Sequence, residues 1–304
     1  MAYLGIDVGG TKIAAGVVDS EGTVLDRLQV PTPEGTADAV FAAITECVRQ
    51  LDTAVDGVGV ASAGPVDLRA GTVSPVNIAE WRGFPLRDRV AELFPHIPVE
   101  LAGDGVCMAL GEHWTGAGQG VADLLGLVVS TGVGGGLVLG GRGYPGRTGN
   151  AGHIGHMAVA TEPACPCGGL GCVEVRASGP NIVAWAKAQG WAAPADADGK
   201  ALADGARAGD EIALAAFARS GQAVGMAIAA AAVLFDLELA IVGGGLAQAG
   251  DLLFDPIRAA VATHAKLSYV SDLRVVAAEH TKDAGIVGAA SLVARPATTP
   301  TPPE

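Results

Sequence analysis

The sequence predicts an α/β protein with two domains, and three observations lead to this class. The chain has 304 residues, enough for two domains that each bury a sizeable core. Half of the residues are hydrophobic, only 4% are aromatic and 45 are glycine, a composition typical of helices packed closely on sheets. Short β-like runs alternate with helical patterns, and each half of the chain contains one glycine-rich hairpin. The two hairpins indicate a weak internal duplication.

The net charge of −13 limits the partners that we expect. It argues against nonspecific binding to nucleic acid or to an anionic membrane surface. An anionic ligand would then need a local cradle of backbone N–H groups or a cation. The first residues, MAYLGID, lack a basic stretch and a long apolar run, and the apolar segment 223–235 is short for a membrane span. We therefore expect a soluble cytoplasmic protein.

The first hairpin joins the β-like runs 3–8 and 13–18 and suits phosphate binding. Two adjacent glycines let backbone N–H groups approach a phosphate closely. Asp7, just before the turn, can hold Mg²⁺ through water. A plain hairpin with a surface aspartate is the alternative. The turn residues are Gly9, Gly10, Thr11 and Lys12.

The pattern then predicts a helix over 37–51, a buried strand over 57–61, a short helix over 86–94 and a strand over 99–102. A turn cluster with Gly64 follows the buried strand, and Asn77 either hydrogen-bonds to a hydroxyl or caps a turn. Asp104 lies between the strand at 99–102 and a helix over 106–114. That position suits a general base, although it also suits a helix N-cap.

The second glycine-rich hairpin, STGVGGG at 130–136, lies between the strands predicted at 124–129 and 137–139. Its candidate phosphate contacts are Thr131, Gly132 and Gly134. A later strand, 237–242, leads into Gly244 and Gly245, a turn that suits close packing against an adenine or a ribose. Helices are predicted over 182–189, 210–235, 251–267 and 283–293, with a strand over 273–277. We interpret 190–205 as linker-like and 296–304 as a disordered tail.

Four residues between 156 and 172 have the spacing of a metal site, H-x8-C-x-C-x4-C. Three thiolates and one imidazole make a closed tetrahedral Zn²⁺ site with no open position, so the metal would be structural. Buried core cysteines or a disulfide are the alternatives. The loop has almost nothing apolar around the thiols, and three clustered cysteines cannot all pair. The ligand set is His156, Cys165, Cys167 and Cys172.

Three motifs resemble those of the ROK family of sugar kinases and sugar-responsive repressors. They are DVGGTK from residue 7, STGVGGG from 130, and GNAGHIGH followed by CPCGGLGCVEVRASG from 149. The resemblance implies a two-domain, actin-like ATPase (ribonuclease H-like) α/β fold with an interdomain cleft. It implies a smaller domain of 1–103 plus about 285–295, a larger domain of 104–284, and a homodimer or homotetramer.

The resemblance also implies a function, ATP-dependent phosphorylation of the 6-hydroxyl of a hexose or N-acyl hexosamine with Mg²⁺. Asp104 would be the base, and the two glycine-rich turns would hold the phosphates. Gly103 stands where the family usually has an asparagine that contacts the sugar. The implied sugar contacts are Gly64, Asn77, Asp104, His153, His156 and Glu174, with His156 orienting the loop from its zinc site.

Several alternatives stay open at the level of sequence. His153 stands where glucokinase-like members usually carry glutamate, and AGHIGH resembles bacterial N-acetylmannosamine kinases, which favours an amino sugar. His153 and His156 could exchange roles at the metal. Polyphosphate could replace ATP as the donor, and a non-catalytic sugar-binding protein would share the motifs. A DNA-binding repressor is disfavoured, because the phosphate motif at Asp7 leaves no room for an N-terminal helix-turn-helix.

Overall fold

The computed structural model describes residues 1–51, 53–75, 78–280 and 282–295. The predicted tail at 296–304 and Asn77 lie outside these described residues. The strands are β1 (Ala2–Val8), β2 (Lys12–Asp19), β3 (Val24–Pro31), β4 (Gly57–Ser62), β5 (Val66–Asp67), β6 (Thr72–Val73), β7 (Val99–Gly103), β8 (Leu124–Val129), β9 (Val133–Leu139), β10 (Arg142–Tyr144), β11 (Leu239–Gly243) and β12 (Arg274–Ala277). The α-helices are α1 (Ala37–Arg49), α2 (Leu86–Ala91), α3 (Asp104–Thr115), α4 (Val173–Ala177), α5 (Gly179–Ala188), α6 (Gly199–Arg207), α7 (Glu211–Phe235), α8 (Asp251–His264) and α9 (Ala284–Ala294).

The chain forms two compact units. Unit 1 comprises residues 1–120, 136–151 and the segment from 282 onward, and unit 2 comprises 121–135 and 152–281. These bounds differ from the domain boundaries expected at 103 and 284. The difference at the first boundary arises because α3 packs on α9 within unit 1.

Two five-stranded sheets share one strand order, which accounts for the internal duplication. The first sheet runs β3-β2-β1-β4-β7 and the second β10-β9-β8-β11-β12. In the first, β1 pairs antiparallel with β2 and parallel with β4, and β4 pairs parallel with β7. In the second, β11 pairs parallel with both β8 and β12, and β9 pairs antiparallel with β10. The carboxyl ends of the parallel strands therefore meet at one edge of each sheet, where α/β proteins bind ligands.

Helix α9 approaches the first sheet so closely that backbone touches backbone. A Cβ atom on Gly59 of β4 would overlap the carbonyl group of Ala289, and one on Gly288 would overlap the carbonyl group of Cys107 in α3. Only glycine permits contacts this short, because any side chain would force the elements apart. The α9 helix, predicted at 283–293, is thus fixed on β4 and α3 at the same time.

The secondary structure differs from the prediction in several places. The segment 190–205 is not a linker over its whole length, because α6 begins at Gly199, where Asp198 caps it by accepting a hydrogen bond from the Ala201 N–H at 2.9 Å. The edge strands β3 and β10 were not predicted, since both are largely exposed and lack a clear apolar alternation. In STGVGGG only 130–132 form the turn, and the remaining residues begin β9.

Helix α7 confirms the helix predicted at 210–235, which contains the apolar segment 223–235. It begins after Asp210, whose carboxylate accepts hydrogen bonds from two N–H groups of the first turn. Among the described residues it is the one helix long and apolar enough to cross a membrane by length and composition, but 61% of its apolar window is buried in the structure. Gly221 and Gly225 bring it against α8, where a Cβ on Gly225 would come within 2.5 Å of the Ile257 carbonyl oxygen. The packing is that of a core helix.

Candidate active site

The turn between β1 and β2 presents two backbone amides that have no acceptor among the described residues. The Gly9 N–H donates to the Lys12 carbonyl at 2.9 Å, and the Thr32 hydroxyl donates to the Gly9 carbonyl at 2.7 Å. These bonds fix the ends of the turn and leave the N–H groups of Gly10 and Thr11. A pair of successive N–H groups of this kind is suited to a phosphate oxygen. The predicted phosphate turn is therefore formed within unit 1.

Two carboxylates lie at the same edge of the first sheet, beside this turn. Asp7 is near the carboxyl end of β1, and Asp104 directly follows β7, with β4 between the two strands. Burial and the nearby Asp104 carboxylate raise the pKa of Asp7 to about 6, and Lys12 opposes the shift. Gly285 in the first turn of α9 lies against Asp7, since a Cβ there would come within 2.5 Å of the Asp7 Cγ. A half-buried carboxylate beside a second one fits a divalent cation, which would relieve the repulsion.

Asp104 does not act as the N-cap of α3. The cap position is Gly103, and Asp104 is the first helical residue. The Asp104 Oδ1 accepts a hydrogen bond from the Gly105 N–H at 2.7 Å, and the side chain is exposed. Beside it, a Cβ added to Gly103 would meet no heavy atom within 4 Å. The glycine that replaces the usual asparagine therefore leaves open space next to the candidate base.

The loop after β4 is held by a residue that the sequence analysis did not single out. Gly64 lies in the bend after β4, two residues before Val66. The Asn150 side chain accepts a hydrogen bond from the Val66 N–H at 2.9 Å and donates one to the Val66 carbonyl at 2.7 Å. Asn150 belongs to the GNAGHIGH motif, which was the available signal for its role. It thereby fixes the loop that contains Gly64.

Unit 2 contains a turn built like the first. The Ser130 N–H donates to the Gly132 carbonyl at 2.8 Å, and the Glu174 Oε2 accepts a hydrogen bond from the Val133 N–H at 3.0 Å. The N–H groups of Thr131 and Gly132 have no acceptor among the described residues. Gly134, predicted as a phosphate contact, lies within β9, two residues beyond the turn.

A cavity of about 690 Å³ opens beside this turn and lies wholly within unit 2. Its volume is in the range of ordinary small-molecule sites. Gly244 has φ +93°, and a Cβ added to Gly245 would lie 3.5 Å from the Ser130 hydroxyl, so the turn after β11 closes one side as the sequence suggested. The α6 side of the cavity was not foreseen, because α6 was interpreted as linker. Lining residues include Ser130, Thr131, Gly179, Lys200, Arg207 and Gly245.

The four residues with metal spacing come together in unit 2. Their ligand atoms all lie within 4.8 Å of one another. The Cys167 and Cys172 sulfurs are 3.7 Å apart, and Cys165 Sγ is 3.8 Å from His156 Nδ1. Tetrahedral Zn²⁺ with Zn–S bonds of about 2.3 Å would separate two sulfurs by about 3.8 Å, so the donor set fits this ion.

The thiols need a cation to ionise together. Burial and hydrogen bonds from the neighbouring thiols raise the pKa of Cys172 to about 12, and burial raises that of Cys165. The Gly169 amide lowers the pKa of the exposed Cys167. Zn²⁺ binds thiolates and so would offset this cost, which supports a metal rather than three ordinary core cysteines.

His153 lies outside the metal cluster but next to it. Its ring is stacked with that of His156, with centroids 5.9 Å apart and an angle of 13° between the planes. His153 is exposed, so its side chain is accessible to a ligand. Glu174 lies in the first turn of α4, whose N-cap is Cys172, and is half-buried. The geometry therefore separates the two histidines, with His156 at the metal position.

Comparison with known proteins identifies the relatives of this chain. The ROK family matches residues 3–296. The glucokinase of Thermotoga maritima is 35% identical to this chain, and the match covers 96% of this chain and 97% of that protein. The N-acetylmannosamine kinase of Yersinia pseudotuberculosis is also 35% identical, and the match covers 94% of this chain and 96% of that protein. The crystal structure of a ROK family glucokinase from Streptomyces griseus in complex with glucose and AMPPNP is 37% identical, with a TM-score of 0.84, over 96% of this chain and 99% of that one. The expected two-domain, actin-like α/β fold is confirmed.

The metal assignment predicts that Cys167→Ser lowers both zinc content and thermal stability. A structural Zn²⁺ site contributes about 10–16 kcal/mol of apparent binding free energy, so the loss of one ligand is costly. Zinc per chain is measured by mass spectrometry and unfolding by calorimetry. The control is His153→Gln, which should keep full zinc content. Full metal in the Cys167 variant, or loss of metal in the His153 variant, would contradict the ligand set.

The pKa of Asp7 predicts a pH-dependent stability effect. Because folding raises this pKa from 3.8 to about 6, the folded state binds the proton more tightly. The contribution of Asp7 to the free energy of unfolding therefore falls as pH rises through this window. Asp7→Asn should raise the melting temperature at pH 8 without Mg²⁺ or nucleotide, and the gain should shrink toward pH 4.5. The exposed Asp26→Asn is the control. A gain that does not depend on pH would show that charge is not the cause.

Proposed function

The chain belongs to the ROK family, and from this premise we propose that it transfers the terminal phosphoryl group of ATP to the 6-hydroxyl of a hexose or an N-acyl hexosamine. One observation carries the proposal. Asp7 and Asp104 lie at the same sheet edge beside a turn with two available amides. Unit 1 thus provides a carboxylate for a cation, a second carboxylate for a proton, and a phosphate contact.

Each residue has a distinct part in this reaction. Asp104 accepts the proton of the 6-hydroxyl as the oxygen attacks the phosphorus atom. The amides of Gly10 and Thr11 in unit 1, and of Thr131 and Gly132 in unit 2, hold phosphate oxygens. Asp7 would hold Mg²⁺ through water, and Mg²⁺ neutralises phosphate charge when bound. Phosphoryl transfer needs little covalent help, so positioning and charge account for most of the rate.

The donor site is the cavity beside the second turn. The glycine turn after β11 closes one side, and the lining includes Lys200 and Arg207, which pair with Asp204 at 3.7 and 3.1 Å. A cavity with apolar walls beside a phosphate turn suits a nucleoside triphosphate. Polyphosphate has no base or ribose to fill this space, which favours ATP. ADP release with ATP, compared with sugar phosphate formation from polyphosphate, tests the choice.

The acceptor we favour is an N-acyl hexosamine. His153 is exposed beside the zinc cluster, and a neutral imidazole can donate or accept one hydrogen bond where a glutamate only accepts. The open space at Gly103, beside the proposed base Asp104, is a second feature. A coupled ADP-release assay with glucose, mannose, fructose, N-acetylglucosamine and N-acetylmannosamine tests the acceptor directly. No turnover with any sugar would favour a non-catalytic sugar-binding protein.

We expect Asp104→Asn to affect chemistry more than binding. General-base catalysis contributes about 10²–10⁴-fold, so kcat should fall by that order. Sugar affinity, measured by calorimetry, should change by less than about tenfold. The control is Glu100→Gln, an exposed carboxylate on β7, the strand that precedes Asp104, and it should leave kcat unchanged. A near-normal kcat for Asp104→Asn would exclude it as the base.

His153→Glu should change sugar specificity while the fold and zinc content stay the same. When the bound sugar covers residue 153, a polar group that is left there without a partner costs about 1–3 kcal/mol. The ratio of kcat/KM between an N-acyl hexosamine and glucose should therefore shift by about tenfold or more toward glucose. His264→Glu makes the same change at an exposed position elsewhere in unit 2 and serves as the control.

Two results with His153→Glu would contradict this prediction. Loss of zinc in His153→Glu would mean that His153 is a metal ligand. An unchanged ratio of kcat/KM between the N-acyl hexosamine and glucose would mean that another residue sets the specificity. The next variant to measure would then be Gly103→Asn, which places a side chain in the open space at that position.

A further inference from the structure

Glu174 contacts the second phosphate turn, a contact that the motif alone does not reveal. Its Oε2 accepts a hydrogen bond from the Val133 N–H at 3.0 Å, and Val133 is the residue at which the turn ends and β9 begins. A Cβ added to Gly132 would lie 2.7 Å from the same oxygen. The carboxylate therefore rests directly on the backbone of the turn.

The opposite end of the turn is held from the same segment. The Gly179 N–H donates to the Ser130 carbonyl at 2.8 Å. Residues 174 and 179 are five positions apart, so one short stretch holds both ends of the turn. The Ser178 N–H bonds to the Glu174 carbonyl at 3.0 Å, and the Asn181 side chain donates to the same carbonyl at 3.3 Å. These two hydrogen bonds hold the segment in place at Glu174.

The position of Glu174 is set in turn by the cysteine loop. Cys172 is the N-cap of α4, and the Val173 N–H donates to the Met157 carbonyl at 3.0 Å. An ionised acceptor makes a stronger hydrogen bond than a neutral one. With the Val133 N–H engaged, the amides of Thr131 and Gly132 remain for a phosphate.

We propose that Glu174 is a positioning residue for the donor-phosphate turn, in addition to any contact it makes with the sugar. Its carboxylate holds the Val133 amide and so fixes the orientation in which Thr131 and Gly132 face the donor. The inference rests on the proposed function, because it presumes that this turn binds phosphate. If the sugar also binds Glu174, occupancy by one substrate raises the affinity for the other, and the effect is reciprocal.

The test measures binding of Mg²⁺·AMPPNP by calorimetry without sugar and then with saturating sugar. Glu174→Gln keeps the shape and one acceptor oxygen but removes the charge. We expect sugar-free nucleotide affinity to fall by about five- to tenfold, with zinc content and melting temperature close to those of the unsubstituted protein. Glu211→Gln, an exposed glutamate of unit 2, is the control and should bind nucleotide normally. A residue that only contacts sugar would leave sugar-free nucleotide affinity unchanged, and that result overturns the inference.

A double-mutant cycle with Gly132 tests the contact itself. Apart from its two chain neighbours, the described atoms within 4 Å of a Cβ on Gly132 belong to Glu174. Gly132→Ala should therefore weaken AMPPNP binding when Glu174 is present and cost little further in a Glu174→Ala background. Additive effects would overturn the inference. If AMPPNP does not bind the unsubstituted protein with or without sugar, the proposed function fails as well, which distinguishes the two failures.

Discussion

The close packing of α9 is the constraint on which unit 1 depends. Gly59 and Gly288 allow the helix to touch the backbones of β4 and α3, and Gly285 places its first turn against Asp7. Contacts of this kind leave no room for adjustment, because protein interiors are packed as densely as organic crystals. The positions of β1, β4, α3 and α9 are therefore determined together, and with them the positions of Asp7 and Asp104.

The ends of the two glycine-rich turns are fixed in different ways. Each must present two backbone amides without a protein acceptor, yet its ends must be fixed. In the first turn, the Thr32 hydroxyl and the antiparallel strands β1 and β2 provide the fixed ends. In the second, a carboxylate and an amide from the segment after the cysteine loop do so. The duplicated sheets thus carry the same kind of turn, and the second turn is tied to the segment that follows the cysteine loop.

Sequence predicted the elements whose signal is local. The hairpin around Gly9, the metal spacing from His156 to Cys172 and the strand before Asp104 each follow from short patterns, and the structure contains all three. Edge strand β3 was not predicted, because several of its residues are exposed and its sequence does not alternate between apolar and polar residues. Helix α6 escaped because a composition of alanine, glycine and aspartate resembles a linker, and only its packing reveals the buried face of Leu202 and Ala206.

In the candidate site, too, some features have a local sequence signal and others depend on tertiary packing. Candidate residues could be named from motifs, but the contact between Glu174 and Val133 joins residues 41 positions apart and has no local signature. The bonds from Asn150 to Val66 span 84 positions. The cavity is formed by a turn, two helices and a later glycine pair. Such features depend on tertiary packing, which no single segment encodes.

The position of α9 near the end of the described chain has a consequence for biosynthesis. Strands β1 and β4 are translated first, but the helix that covers their glycine-rich face is encoded about 230 residues after Gly59. At typical rates of about 5–20 residues per second, the ribosome needs roughly 12–46 s to synthesise that interval. The sheet that carries Asp7 therefore emerges early, and α9 can cover it only after unit 2 has been translated. Unit 1, whose first strands are made earliest, therefore receives its last helix after unit 2 has been made.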